Sequence, residues 1–402
     1  MLIIGGGSAG LFTAIKRAQQ LQIEQTNNQQ QTNNSKNFEN ITIIEEHKSL
    51  GLPVQCTGIL TDSVHDFFSN SEIKKFTINK INKTTIHSEN NTLNLKLNNN
   101  IIIDNVKFVE FLENKTDKLN INILTNHKYI HNNIQKNSIN IRNTITKELK
   151  ILKTSSLIGA DGPLSLVAKN NELTKYRKNL LGMQKRIKLT DDINSIEFHT
   201  NVGEYAWCVP EGNGTARIGV ALKLSNPLNN KIFNDFLKKY PGKTIETQAG
   251  LIPLHHPREK IIRTYNSSTS TRTSSKSQPY SKSQLNVALV GDAALQIKNT
   301  TGGGIIPGLK ASEALSFGID NYTSNLKKLN KELYFHYLIH QILSKYSSKD
   351  FDRLLNKIKN EKIKTLLENT NRDNLSKLIL LLASKPSMIA EGLYASTKIR
   401  HI

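Results

Sequence analysis

Apolar residues recur in short blocks separated by Asn- and Lys-rich turns, a pattern that predicts many short elements joined by polar loops. Residues 2–4, 41–44 and 285–290 read as buried-type strands, and residues 11–18 have helical spacing. Residues 76–103 give short strand-like pieces, and 106–119 a helix with Phe108, Phe111 and Leu112 on one face. Further strands are expected at 121–124, 138–141 and 149–158, a β-rich block at 194–222, and a short helix at 232–239. From Leu326 onward the pattern is almost wholly helical. Residues 25–40, dominated by Asn and Gln, and 266–284, dominated by Ser, Thr and Lys, read as polar surface insertions. No internal repeat is visible.

Length and composition narrow this picture. A chain of 402 residues has room for two or three domains with cores. The 37% hydrophobic content is low, yet the periodic apolar blocks argue against wholesale disorder. The longest apolar runs, such as 378–383, fall far short of the ~18 residues of a membrane span. The opening residues lack the pattern of a signal peptide, and two cysteines, Cys56 and Cys208, argue against a disulfide framework. A cytoplasmic chain is expected. The formal charge is +21, but the lysines are scattered singly, without an Arg-rich helix or interleaved aromatics, so nucleic acid is not the expected partner. Solvated faces or an anionic membrane surface account better for such charge. Lys357, Lys359, Lys362 and Lys364, beside Ile363 and Leu366, form the candidate membrane-facing cluster.

Three motifs carry chemistry. Residues 2–11, L-I-I-G-G-G-S-A-G-L, place Gly5, Gly7, Ser8, Ala9 and Gly10 between an apolar strand and a helix, the dinucleotide fingerprint in its required context. The second strand ends at Glu45, where a carboxylate can accept ribose hydroxyls, and the Asn/Gln insertion lengthens the spacing. Residues 157–169 give a strand, a G-A-D-G turn containing Asp161, and a helix start. Residues 289–294 put Asp292 at a strand end, followed by the glycine run that includes Gly303, Gly304 and Ile305. An extended FAD needs such parts: a carboxylate for the ribitol hydroxyls, and bare N–H groups at a helix start facing the flavin pyrimidine edge. His336 and His340 stand at i,i+4 without a third ligand, so no metal is expected, and His255-His256 reads as a surface turn.

In these motifs and their order the chain resembles the FAD-dependent aromatic-hydroxylase-like superfamily and, within it, the geranylgeranyl reductase family. Residues 53–58, P-V-Q-C-T-G, resemble that family's P-x-x-C loop, and residues 205–212, Y-A-W-C-V-P-E-G, closing at Ile218-Gly219, resemble its Y-x-W-x-F-P-x-G block. The resemblance runs from residue 1 to about 315 and more loosely beyond. Val209 replaces a Phe, Leu295 a Gly, Asn299 a Pro, and Asn105 an Arg that helps hold the cofactor. The resemblance implies an α/β fold: a discontinuous Rossmann-type FAD domain (1–75, 101–180 and 285–325), an antiparallel β substrate domain (76–100 and 181–284) and a C-terminal helical region (326–402).

It further implies FAD as cofactor, a prenylated lipid as substrate, and ferredoxin, reduced deazaflavin or NAD(P)H as electron donor. An enzyme on such lipid is expected at the inner face of the cell membrane. Cys56, Tyr205 and Trp207 would be the catalytic residues, with Cys56 also close to the cofactor. Tyr205 and Trp207 alternate along a strand and share a face, a suitable wall for a prenyl chain, whereas Cys208 beside them reads as packing. A flavin monooxygenase of the same fold, and a basic binding protein on a Rossmann scaffold, are the alternatives.

Overall fold

The structure, a computed structural model, describes residues 1–29, 39–267, 283–370, 391 and 394. Much of both polar insertions, the apolar run 378–383 and most of the chain after residue 370 lie outside the described residues. One six-stranded sheet holds Leu2–Ile4 near its centre, with Thr42–Ile44 and Asn122–Leu124 on one side and Ser156–Gly159, Ser283–Leu289 and Ile262–Ser267 on the other. Its strands are parallel except for the Ile262–Ser267 edge. The chain builds outward from Leu2–Ile4 first in one direction and then in the other, so a crevice forms at the carboxyl ends of Leu2–Ile4 and Ser156–Gly159. All three expected nucleotide-side turns leave the sheet at that edge.

Helices Ser8–Gln29, Asn105–Asp117 and Ile305–Ser316 cover the sheet around a core that includes Ile3, Leu11, Phe108, Leu112, Ile158 and Leu309. Asp104 starts the second of these helices by accepting from the amides of Val106 (2.9 Å) and Lys107 (3.2 Å). Phe108, Phe111 and Leu112 all face inward, as the spacing predicts. Helix Ser8–Gln29 lies against Ile305–Ser316, where the buried Thr13 hydroxyl meets that of Ser312 at 2.9 Å. The helix continues through Gln29, into what reads in sequence as a polar insertion.

An eight-stranded sheet forms the second layer, in the order Gly242–Pro253, Asn179–Leu189, Thr215–Lys223, Tyr205–Gly212, Ile196–His199, Thr77–His87, Thr92–Ile103 and Ile59–Leu60. It is antiparallel except where Ile196–His199 runs parallel to Thr77–His87. The expected short pieces over 76–103 are one long hairpin, because Ser88 and Asn91 close its turn (Ser88 N to Asn91 O, 2.9 Å). The expected single strand over 149–158 is two. Thr154 Oγ1 bonds both the amide (3.1 Å) and carbonyl (2.8 Å) of Ser156, breaking the run. Leu149–Lys153 then joins a small sheet with His127–Asn133 and Ser138–Asn143, while Ser156–Gly159 enters the parallel sheet.

Gly10 is held so closely that a Cβ there would lie 2.0 Å from Gly5 O. Gly10→Ala is therefore expected to cost at least ~2 kcal/mol of stability, read as a lower thermal midpoint of the purified chain.

Candidate active site

The first turn is built by close backbone approach. Gly5 has φ +106°, and a Cβ on it would sit 2.3 Å from Ala160 O. Gly7, in contrast, has nothing within 4 Å of its Cβ position, so its backbone is bare toward the crevice. Glu45 braces the turn: one carboxylate oxygen accepts from Gly6 N (2.7 Å), the other from His47 N (2.9 Å). Its acceptor sites are thus partly engaged before any ribose arrives.

Asp292 follows strand Ser283–Leu289 in a turn fixed by a buried chain of hydrogen bonds. Gln296 accepts from Gly291 N (2.7 Å) and donates to Tyr322 Oη (2.8 Å), which donates to Leu289 O (2.9 Å). No described residue donates to the Asp292 carboxylate, and burial alone pushes its pKa up to about 6. A Cβ on Gly304, at the start of helix Ile305–Ser316, would come within 2.8 Å of Asp292 Oδ1. The glycine keeps that helix start open beside the carboxylate.

Cys56 belongs to a loop clamped from the second sheet. Arg217 Nη1 donates to the carbonyls of Thr57 (2.9 Å) and Cys56 (3.2 Å), and Asn105 Nδ2 donates to the Cys56 carbonyl (3.0 Å). Arg217 is itself paired with Glu211 (Nε to Oε1, 2.6 Å), whose other oxygen lies 2.6 Å from Arg186 Nε. Burial pushes the Cys56 thiol pKa up, against the lowering effect of the Gly58 amide and Arg217. At neutral pH the sulfur therefore carries its proton. On the facing wall, Tyr205 and Trp207 lie with ring centroids 5.9 Å apart. Trp207 Nε1 donates to Gln184 Oε1 (3.2 Å), and Gln184 donates to Gln248 (2.5 Å). A Cβ on Gly219 would strike the Trp207 ring at 2.4 Å, which gives the I-G ending of the motif a steric reason.

Gly7, Ser8, Ala9, Cys56, Tyr205, Trp207, Asp292, Gly304 and Ile305 line a single cavity of about 330 Å³. Gly5, Gly10 and Glu45 frame its first turn without lining it. Gly303 also stands back, its carbonyl accepting from Lys298 N (3.1 Å). Asp161 does not face the cavity. Its carboxylate accepts from Ser165 Oγ (2.6 Å) and Val167 N (3.0 Å) and so anchors the helix that follows. Cys208 is fully buried among Ala206, Ile218 and Phe236.

Sequence reasoning missed Gln184, Gln248 and Phe198 in the wall, and Arg217 with Glu211 behind the Cys56 loop. The available signal was two charged residues, Glu211 and Arg217, inside otherwise apolar strands.

The departures from the motif pattern are absorbed locally. Leu295 takes a left-handed conformation (φ 54°) that favours glycine, with its side chain buried. Its carbonyl faces His255 Nδ1 at 2.9 Å. Asn299 holds His255 through both backbone groups (2.6 and 3.0 Å). His255 is therefore buried, not a surface turn, and burial lowers its pKa to about 4.

No family model matches the chain. Digeranylgeranylglycerophospholipid reductase 2 of Methanothermobacter thermautotrophicus is 25% identical over 388 residues, covering 87% of this chain and 91% of that one. A geranylgeranyl bacteriochlorophyll reductase-like protein of Thermoplasma acidophilum superposes with a TM-score of 0.70 at 17% identity, covering 98% of both chains. Further digeranylgeranylglycerophospholipid reductases, of Methanosphaera stadtmanae and Methanocaldococcus jannaschii, are 24% and 25% identical over 78% and 88% of this chain. The p-nitrophenol 4-monooxygenase of Pseudomonas putida shares the fold, with a TM-score of 0.67 at 12% identity over 91% of this chain and 95% of its own. The cavity fits an FAD: bare backbone at Gly7 for the pyrophosphate, a half-buried carboxylate at Asp292 that no described residue donates to, for ribitol, and an open helix start at Gly304.

A ribitol hydroxyl would donate to ionised Asp292, whereas the ligand-free protein holds that carboxyl protonated below about pH 6. FAD affinity is therefore expected to be flat above neutrality and to fall as pH drops through about 6, approaching ~tenfold per pH unit. Fluorescence titration of FAD checks this. Asp292→Ala should weaken binding by ~1.5–3 kcal/mol, and Asp292→Asn should flatten the pH profile.

Proposed function

We propose that this protein is an FAD-dependent reductase that saturates isolated double bonds in geranylgeranyl chains, with archaeal-type membrane phospholipids as substrate. One observation carries the reading: a single cavity joins the three nucleotide-side turns to a wall of Phe198, Tyr205 and Trp207, and Cys56 lines the same cavity. The substrate class is supported by the name of the matched archaeal reductase. An isolated alkene offers no charge or carbonyl to polarise, so the protein must supply position and a proton.

When bound and reduced, FAD supplies the hydride equivalent. Tyr205, Trp207 and Phe198 hold the prenyl chain by apolar contact, and the Gln184 hydrogen bond fixes the Trp207 indole. Burial disfavours the thiolate, so Cys56 Sγ holds its proton at neutral pH; it would give that proton to the alkene carbon that does not take the hydride, and the resulting thiolate would be reprotonated from solvent. Arg217 and Asn105 keep that loop in place through its carbonyls. Ferredoxin, reduced deazaflavin or NAD(P)H would renew the reduced cofactor between turnovers.

A substrate with two long chains stays in the bilayer, so the protein must work at a membrane surface. No helix among the described residues is long and apolar enough to cross one. The basic cluster is smaller in the structure than in the sequence. Lys357 pairs with Glu391 (2.7 Å) and Ile363 is buried, which leaves Lys359 and Lys362 exposed. With an overall charge of +21, peripheral attachment at the inner face of the cell membrane would be electrostatic.

Cys56→Ala is expected to slow alkene reduction by ~10²-fold or more while FAD content stays near one per chain, checked by anaerobic turnover of an unsaturated prenyl lipid and the flavin spectrum. Equal turnover would return Cys56 to packing, and oxygen-dependent hydroxylated product would establish the monooxygenase alternative. Co-sedimentation with anionic vesicles is expected at low salt and lost at high salt, since screening shortens the field to ~3 Å at molar salt. Binding that ignores salt would remove the electrostatic attachment.

A further inference from the structure

We propose that His87, Glu197 and His199 form a binding site for a divalent cation of the zinc type, on the face of the eight-stranded sheet opposite the flavin cavity. The inference does not depend on the reading of that cavity. His87 and His199 are the last residues of two parallel strands, Thr77–His87 and Ile196–His199, and stand directly opposite one another in register. Their rings stack at 4.5 Å between centroids, with 13° between planes. Glu197 lies two residues before His199 and so shares its face, whereas Phe198 between them lines the flavin cavity.

Both Nε2 atoms converge on one carboxylate oxygen. His87 Nε2 lies 3.8 Å and His199 Nε2 3.9 Å from Glu197 Oε2, and all three potential ligand atoms fall within 4.8 Å of one another. Those separations are too long for hydrogen bonds. A tetrahedral zinc with bonds of ~2.0–2.2 Å spaces its ligand atoms ~3.3–3.5 Å apart, so small side-chain rotations close the set. His87 Nε2 is, moreover, buried with no hydrogen-bond partner among the described residues, a costly state that a cation relieves.

The surroundings favour ligation. Thr92 Oγ1 lies 3.3 Å from His87 Nδ1; in the tautomer where that nitrogen donates to the hydroxyl, the Nε2 lone pair is free for a cation. Tyr240 Oη lies 2.8 Å from Glu197 Oε2 and 2.7 Å from His199 Nε2. Without metal, the hydroxyl closes the third side of the cluster; with metal, it keeps the carboxylate bond and releases the imidazole. A cavity of about 450 Å³ opens here, bringing a further carboxylate, Asp191, and one cation, Lys239, to its rim. Two imidazoles and one carboxylate suit zinc and leave a fourth position for water. The bound ion would clip together the ends of two strands, one of which carries Phe198 of the flavin-side wall.

The test uses the full chain loaded with FAD, stripped by a chelator and dialysed against micromolar zinc chloride. About one zinc per chain is expected in the wild type, and almost none in His87→Ala and Glu197→Gln that retain the flavin spectrum. Cobalt in place of zinc should give the visible bands of a four-coordinate ion in the wild type, a readout that needs no variant to fold. Zinc should also raise the wild-type thermal midpoint in a concentration-dependent way. Less than stoichiometric zinc in the wild type, equal zinc in both variants, or a six-coordinate cobalt spectrum would leave only a hydrogen-bonded His-Glu-Tyr network and overturn the proposal.

Discussion

The architecture rests on close backbone contact where three parallel strands end. Gly5, Gly10 and Gly291 each stand where a Cβ would meet another backbone or side-chain atom at 2.0 to 2.7 Å. That contact brings the turns after Leu2–Ile4, Ser156–Gly159 and Ser283–Leu289 into one crevice and aims two helix starts into it. Hydrogen bonds between successive strand ends, such as Ala160 N to Ile4 O (2.7 Å) and Val290 N to Gly159 O (2.9 Å), hold the layer.

The second sheet is tied to that crevice by buried charge. Glu211 and Arg217 are almost fully desolvated, with side chains 3% and 7% exposed, and such a pair is retained only when its remaining polar atoms are engaged. Arg217 uses two of its contacts on the carbonyls around Cys56, so electrostatics from one sheet sets the position of a loop beside the other. Removing either partner would strand a buried charge and release the loop, which makes both positioning residues for the Cys56 thiol.

The same strands serve two faces. Tyr205, Trp207 and Phe198 turn toward the cavity, while Cys208, Glu197 and His199 turn away. Two local departures from the motif pattern follow a common logic: Asn105 and Asn299, in place of an Arg and a Pro, use side chains that bond backbone and so hold the loops they touch.

Local chemistry was legible in the sequence. The strand-turn-helix order around Gly5 to Gly10, Asp292 at a strand end, the Cys56 loop and the alternation of Tyr205 and Trp207 depend on neighbours in the chain, and motif and period report them. Only tertiary structure decided which of these share a cavity. Asp161 is held by Ser165 and Val167, and the Thr154 side chain divides an apparent single strand between two sheets. A charged Arg217 in an apolar strand shows in the sequence, but its partner does not: Arg217 reaches back to Cys56, and His87 meets Glu197 and His199, because sheet register, not sequence spacing, sets those contacts.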